Sequence, residues 1–181
     1  MKFASSIVQT RTNSPLGGIA LAASAQGLAG VWFTTEQRYL PPELATWPHA
    51  PTHATTQATT HATTQALLEQ ASAQLAEYFA GQRRDFDLPL DLSSGTVFQQ
   101  AVWQALCGIA PGSTVSYRDI SQRIAKPDAM RAVGAAIGRN PLSIIVPCHR
   151  VVGANGTLTG YAGGLARKSA LLALEGVTKR Y

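Results

Sequence analysis

Residues 116–139 read SYRDISQRIAKPDAMRAVGAAIGR, and this stretch decides the architecture of the C-terminal half. Ser116 followed by Asp119 is a capping-box-like start, and Tyr117, Ile120 and Ile124 share one face of the helix it opens. Lys126, Pro127 and Asp128 then break the chain, because proline has no amide hydrogen to give and disfavours helical geometry before it. A second helix is predicted from Ala129 to about Arg139, with Met130, Val133 and Ile137 turned inward at helical spacing. Two helices about so short a break are a candidate helix-turn-helix.

The outward strip of the second helix carries the functional information. Arg131, Gly134, Ala135 and Gly138 make a smooth surface from which only the arginine projects far, and Ser116 stands at the start of the first helix. Each glycine costs roughly 1 kcal/mol relative to alanine in a helix interior, so something must approach this face closely. A helix that reads bases in the major groove presents several Gln, Asn, Arg or Lys side chains, which this one lacks. Shape-driven contact independent of base sequence fits better; close packing of a neighbouring helix on small residues is the other reading.

Charge points the same way. The net charge of +5 is unevenly spread: residues 1–94 carry 5 Lys and Arg against 7 Asp and Glu, whereas residues 95–181 carry 10 against 3. A basic half attracts a phosphate backbone through counterion release, although a solvated basic surface would carry the same count.

Just beyond the second helix, Ile144-Ile145-Val146-Pro147-Cys148-His149-Arg150-Val151-Val152 sets a thiol between apolar runs. The thiolate is the reactive form of cysteine, and adjacent cationic or basic groups are expected to ease its formation. Taken alone, a Cys beside a His also describes a small buried hydrophobe. A cysteine hydrolase needs a distant histidine as base, and the others, His49, His53 and His61, sit in or near a polar repeat. Cys107 follows Val102 and Leu106 in an apolar helical stretch and is expected to be a packing residue; both thiols are expected to be free.

The N-terminal half is expected to be a small α/β domain over residues 1–90, and residues 95–181 a second, mainly helical domain. Gly17 to Phe33 alternates apolar and small residues between glycine-rich turns, which suggests short strands. A tandem octapeptide follows, THATTQAT at 52–59 and THATTQAL at 60–67. Its polar composition reads as an expanded surface loop, 52–66, and no cysteine or carboxylate within it completes a metal site with His53 and His61. Leu67, Leu68, Ala71, Leu75 and Phe79 fall at helical spacing between Gln65 and Ala80, with Gly81 as the stop, and Arg83 to Ser94 reads as a linker. No continuous apolar h-region opens the chain and no run of 18 or more apolar residues spans a membrane, so a cytoplasmic location without membrane contact is expected.

Pro147-Cys148-His149-Arg150-Val151 resembles the active-site signature of the O6-alkylguanine-DNA alkyltransferases. The resemblance extends from Phe98 through Gly176, including Thr114-Val115-Ser116-Tyr117, Arg131-Ala132-Val133-Gly134, Arg139-Asn140-Pro141, Gly160-Tyr161-Ala162-Gly163-Gly164 and Leu171 to Gly176. It covers a little under half of the chain; the N-terminal half is similar only in position and length. The implied fold is α+β, a small N-terminal α/β domain with a short β-sheet and then a winged-helix-like helix-turn-helix domain.

The resemblance implies direct-reversal DNA repair on double-stranded DNA containing O6-alkylguanine, and O4-alkylthymine as a further lesion is left open. The second helix would enter the minor groove, with Arg131 taking the place of an extruded nucleotide. Cys148 would accept the alkyl group once, with His149 as base through a water, Glu175 orienting it, and Tyr117 hydrogen-bonding the departing guanine. Asn140 would be the hinge, and Val151, Tyr161 and Ala162 would line the base pocket. Ala162 stands where some members carry a serine, which removes one polar contact to the lesion. A monomer is expected, with cooperativity on DNA left open. No cofactor and no metal is expected, since the cysteines of the zinc site in some members are missing. The rival reading is a damage sensor or regulator that flips bases without transfer; members of that kind lack the reactive cysteine.

Overall fold

The computed structural model describes residues 1–3, 6–50 and 59–177. Its N-terminal half is a three-stranded antiparallel sheet, β1 (Val8–Thr12), β2 (Ile19–Ser24) and β3 (Gly27–Phe33), in the order β1-β2-β3. Every residue of β2 and β3 is buried, as expected of strands covered on both faces. One face packs on α1 (Thr59–Phe79), which buries Leu67, Leu68, Ala71, Gln74, Leu75 and Tyr78 along one stripe. The other face holds an aromatic group of Phe3, Trp32 and Trp47, with Phe3 edge-on to both indoles.

The C-terminal half is mainly helical: α2 (Val97–Cys107), β4 (Val115–Ser116), α3 (Tyr117–Arg123), α4 (Met130–Gly138), a 3₁₀ turn at Cys148–Arg150, β5 (Val151–Val152) and α5 (Leu165–Leu174). β4 and β5 pair in parallel and tie the helix-turn-helix to the cysteine segment. The α+β class and the helix-turn-helix are as expected from sequence. Both α2 and α3 open on full capping boxes, Thr96 with Gln99 and Ser116 with Asp119. Trp103 of α2 is fully buried and donates its indole N–H to the Ala136 carbonyl of α4 at 2.9 Å, fixing the second helix of the motif on its support.

Five local expectations are corrected. The second octapeptide is not loop: residues 60–66 form the first turns of α1, where Thr64 is buried because the sheet supplies the apolar partner the repeat lacks. Residues 52–58 with His53, and the side chain of His61, lie outside the described residues. Within α1, Tyr78 takes the buried position while Phe79 packs at the edge of the core.

The stretch read as a linker is docked: the Leu28 amide donates to Pro89 and the Asp91 amide to Leu28, each at 2.8 Å. Asp91 is itself buried and accepts from the Ser24 hydroxyl at 2.6 Å. Gly27, at φ +154, leaves room for this passage, since a Cβ there would lie 2.6 Å from the Pro89 oxygen. Met130 and Cys107, both expected to pack inward, are exposed: they stand at the first position of α4 and the last of α2, and the buried α2 and α4 residues are Val102, Trp103, Leu106, Val133, Ala136 and Ile137.

One hydrophobic cluster runs through both halves, from Val31 and Phe33 of the sheet to Leu142, Val146 and Cys148. Truncating its central indole, Trp103→Ala, should lower unfolding free energy by about 3–5 kcal/mol, read as a shift of the urea midpoint without change of slope.

Candidate functional site

The cysteine segment leaves α4 at Asn140, runs along the sheet and turns into the 3₁₀ helix at Cys148. Its path is set by β3: the Val31 amide donates to Pro141 at 2.8 Å and the Ser143 amide to Val31 at 3.0 Å. Ile144 is forced to φ +74, a left-handed conformation that costs a β-branched residue roughly 1–3 kcal/mol. The strain is held by the flanking bonds, including Val146 N–H to Leu142 O at 2.9 Å.

Asn140 clamps this turn from inside. Its amide nitrogen donates to Val146 O at 2.8 Å and lies 3.1 Å from the Cys148 sulfur, while its carbonyl accepts from the Leu142 amide at 3.0 Å. Cys148 is buried. Burial pushes its thiol pKa up, and the Asn140 N–H and the charge of Lys168 offset only part of this. The expected help from adjacent cations is therefore corrected: the guanidinium beside the cysteine in sequence turns away to another partner.

That partner is Glu175, just past the end of α5 and 2% exposed. Its carboxylate accepts from Arg150 through Nε at 2.8 Å and Nη2 at 2.8 Å, from the Tyr78 hydroxyl at 2.9 Å, and meets His149 Nε2 at 2.9 Å. Burial opposes the charge, but these donors outweigh it and hold the Glu175 pKa down at about 2. With the carboxylate ionised, the nitrogen facing it must carry hydrogen, so the neutral tautomer of His149 leaves Nδ1 bare. Burial lowers the His149 pKa despite Glu175, and its buried Nδ1 meets no hydrogen-bonding partner among the protein atoms. A neutral imidazole with a free basic nitrogen thus adjoins a buried thiol.

Lys168, fully buried, donates to the carbonyls of Val151, Thr159 and Gly160 at 2.5, 2.6 and 3.3 Å. It joins β5 to the loop that carries Tyr161 and Ala162, and burial depresses its pKa to about 8. Val151 is buried beneath that loop and Ala162 is also buried. Tyr117, at the start of α3, directs its hydroxyl to Thr159 O at 3.2 Å across the same loop.

The structure therefore brings Cys148, His149, Glu175 and Asn140 together, with Val151, Tyr161 and Tyr117 around the adjoining loop. Arg131 and Ala135 are exposed on α4, Gly134 and Gly138 are half-buried there, and Ser116 is engaged in its cap. Sequence reasoning missed Tyr78, Arg150 and Lys168 as parts of the assembly. A buried lysine amid apolar helix positions had no local signal, and the Arg150 guanidinium was visible only as a neighbour of the thiol.

The Glu175 carboxylate, depressed in the folded chain below the ordinary glutamate value, stabilises the fold above about pH 4. That contribution should vanish as pH falls from about 4 toward 2, and Glu175→Gln should remove that part of the acid dependence in denaturation curves recorded across pH 2–7. At neutral pH the same variant should lose about 3–5 kcal/mol, because Arg150 stays buried without its counter-charge.

Residues 7–92 match the family model described as 6-O-methylguanine DNA methyltransferase, ribonuclease-like domain, and residues 97–177 match 6-O-methylguanine DNA methyltransferase, DNA binding domain. The methylated-DNA--protein-cysteine methyltransferase of Mycobacterium tuberculosis is 46% identical over 163 residues, 90% of this chain and 88% of that one. The inducible methylated-DNA--protein-cysteine methyltransferase of Bacillus subtilis is 55% identical over 108 residues, an alignment that spans 60% of either chain. The crystal structure of Mycobacterium tuberculosis OGT in complex with DNA superposes with a TM-score of 0.76 at 44% identity, covering 91% of this chain and 90% of that one. With both halves matched in order, the chain belongs to the 6-O-methylguanine DNA methyltransferase family.

Proposed function

We propose that this protein repairs alkylated double-stranded DNA by direct reversal, moving the alkyl group of O6-alkylguanine onto Cys148 in a single turnover. The observation that carries this reading is the buried thiol clamped by Asn140 next to a neutral His149 whose Nδ1 is bare and whose Nε2 is locked on Glu175. His149 takes the thiol proton through a water, and the thiolate attacks the alkyl carbon. A carbon–sulfur bond forms, the carbon–oxygen bond breaks, and its electron pair stays on the guanine oxygen, where the Tyr117 hydroxyl donates a hydrogen bond. Because burial pushes the thiol pKa up, formation of the nucleophile depends on proton removal by His149.

The outward face of α4 serves as the groove-contacting surface, with Arg131 filling the gap left by the flipped base. In support, the chain's own packing does not demand the glycines: a Cβ on Gly134 would meet the Tyr117 ring at 3.7 Å and one on Gly138 would meet Tyr39 at 3.9 Å, both ordinary contacts. Close approach of DNA supplies the reason. Val151, Tyr161 and Ala162 wall the base, and Asn140 is the hinge between the reading helix and the thiol. All the reacting groups come from one chain, so a monomer suffices, and two free cysteines fit the reducing cytoplasm. No helix among the described residues is long and apolar enough to cross a membrane.

Incubation with a duplex carrying O6-[methyl-labelled]guanine should transfer label to Cys148 at one equivalent per protein, and Cys148→Ala should take up none; label on the variant, or repeated turnover, overturns the reading. Arg131→Ala should slow transfer from duplex by about tenfold or more, since unstacking a base costs a few kcal/mol, while leaving reaction with free O6-alkylguanine base unchanged. Gly134→Ala should weaken binding to duplex in salt-controlled titrations while unfolding free energy holds or rises by up to roughly 1 kcal/mol.

A further inference from the structure

The relay behind the thiol has a fourth member that lies far from it in sequence. Tyr78 is on the last turn of α1, in the N-terminal half, yet its hydroxyl donates to Oε1 of Glu175 at 2.9 Å, the same oxygen that faces His149 Nε2 at 2.9 Å and Arg150 Nη2 at 2.8 Å. The phenol is 1% exposed and packs edge-on against Phe79 at 5.4 Å, so its ring cannot swing to another acceptor without opening the core.

We infer that Tyr78 is a positioning residue for alkyl transfer: by sharing Oε1 with His149, its hydroxyl sets both the orientation and the basicity of the imidazole. This rests on the reading of His149 as the base for Cys148. An oxygen that accepts three donors presents less charge to each than one that accepts two. With the phenol present, Glu175 holds the His149 ring firmly without drawing a second proton onto it. Without the phenol, the carboxylate pulls harder on an imidazolium, and the base is more easily lost to protonation as pH falls.

The groups around this centre come from every side, and they include the buried Tyr161 phenol, on the loop before α5, which interacts with both Cys148 and Tyr78. Arg150 and Cys148 lie on the turn of His149 itself, Lys168 is on α5, and Tyr78 is on α1. Arg84, from the segment after α1, reaches the backbone carbonyl of Glu175 at 3.5 Å. Of these, Tyr78 is the neutral donor on the carboxylate, so deleting its hydroxyl changes hydrogen bonding without changing net charge.

The test is the pH profile of label transfer from an O6-methylguanine duplex in Tyr78→Phe, which keeps the ring. The expected result is a shift of the acid limb to higher pH by about half a unit or more, with duplex affinity unchanged. The 15N resonances of His149 should report the same rise in its pKa in the free protein, independent of any transfer. In a Glu175→Gln background, Tyr78→Phe should produce no further shift. An unchanged acid limb and unchanged His149 titration, whatever the loss in melting temperature, would mean that the phenol only packs. Equal shifts in the presence and absence of Glu175 would also overturn the inference. Failure of the wild-type protein to place label on Cys148 would instead reject the alkyl-transfer reading itself.

Discussion

A carboxylate taken out of water loses hydration worth several kcal/mol and persists as an ion only if donors replace that hydration in full. Glu175 meets this condition with donors drawn from distant parts of the chain: Tyr78 from the N-terminal helix, and His149 and Arg150 from the cysteine turn. Arg150 extends the web, since its second arm reaches the Ile109 carbonyl just past the end of α2. Helices α1, α2 and α5 and the cysteine turn are thereby held to a single buried charge. Moving any one of them strands an ion, which is a stronger tether than apolar contact, because apolar surfaces slide while a bidentate guanidinium does not.

The thiol is located from the opposite side by neutral interactions. β3 supplies an edge on which the Pro141–Ser143 backbone bonds, Asn140 closes the turn, and the left-handed Ile144 is the geometric cost of bending the chain so sharply. The division matters chemically. Were the sulfur tied into the charged web, a guanidinium would hold it as a resting thiolate, open to any passing electrophile. Instead the Arg150 guanidinium is spent on Glu175, burial pushes the thiol pKa up, and His149 Nδ1 keeps a lone pair with no protein partner.

Much of the local structure was legible in the sequence because its causes are local. The Ser116–Asp119 box starts α3, Val133 and Ile137 are buried on α4, and Gly81 ends the turn after α1 at φ +74, all within a few residues of their signals. The cysteine motif was legible through family resemblance rather than chemistry, as a Cys-His pair alone describes many buried sites. What was missed depends on contacts across the chain. Tyr78 and Glu175 are 97 residues apart, and nothing near Tyr78 distinguishes it from Phe79, which has the better hydrophobic claim to the core. The octapeptide was read from composition as loop, yet its second copy is helical because the sheet provides a partner that no local window contains. Met130 erred in the other direction: spacing placed it inward, but at the first position of α4 it lies exposed, while Val133, Ala136 and Ile137 form the buried stripe.

Asn140 joins the cysteine turn to α4, and its bonds run to both. Its backbone amide donates to Ile137 O at 3.1 Å, continuing the last turn of α4, while its side chain holds Val146 and stands against the Cys148 sulfur. The residue just past the end of α4 thus also contacts the sulfur, so helix and thiol share one bonded side chain. On the far side, Trp103 pins the middle of α4 to α2, so the helix has a fixed point within its length and a bonded lever at its end. The clamped sulfur and the bare Nδ1 of His149 then lie on neighbouring residues of one short turn beyond the end of α4.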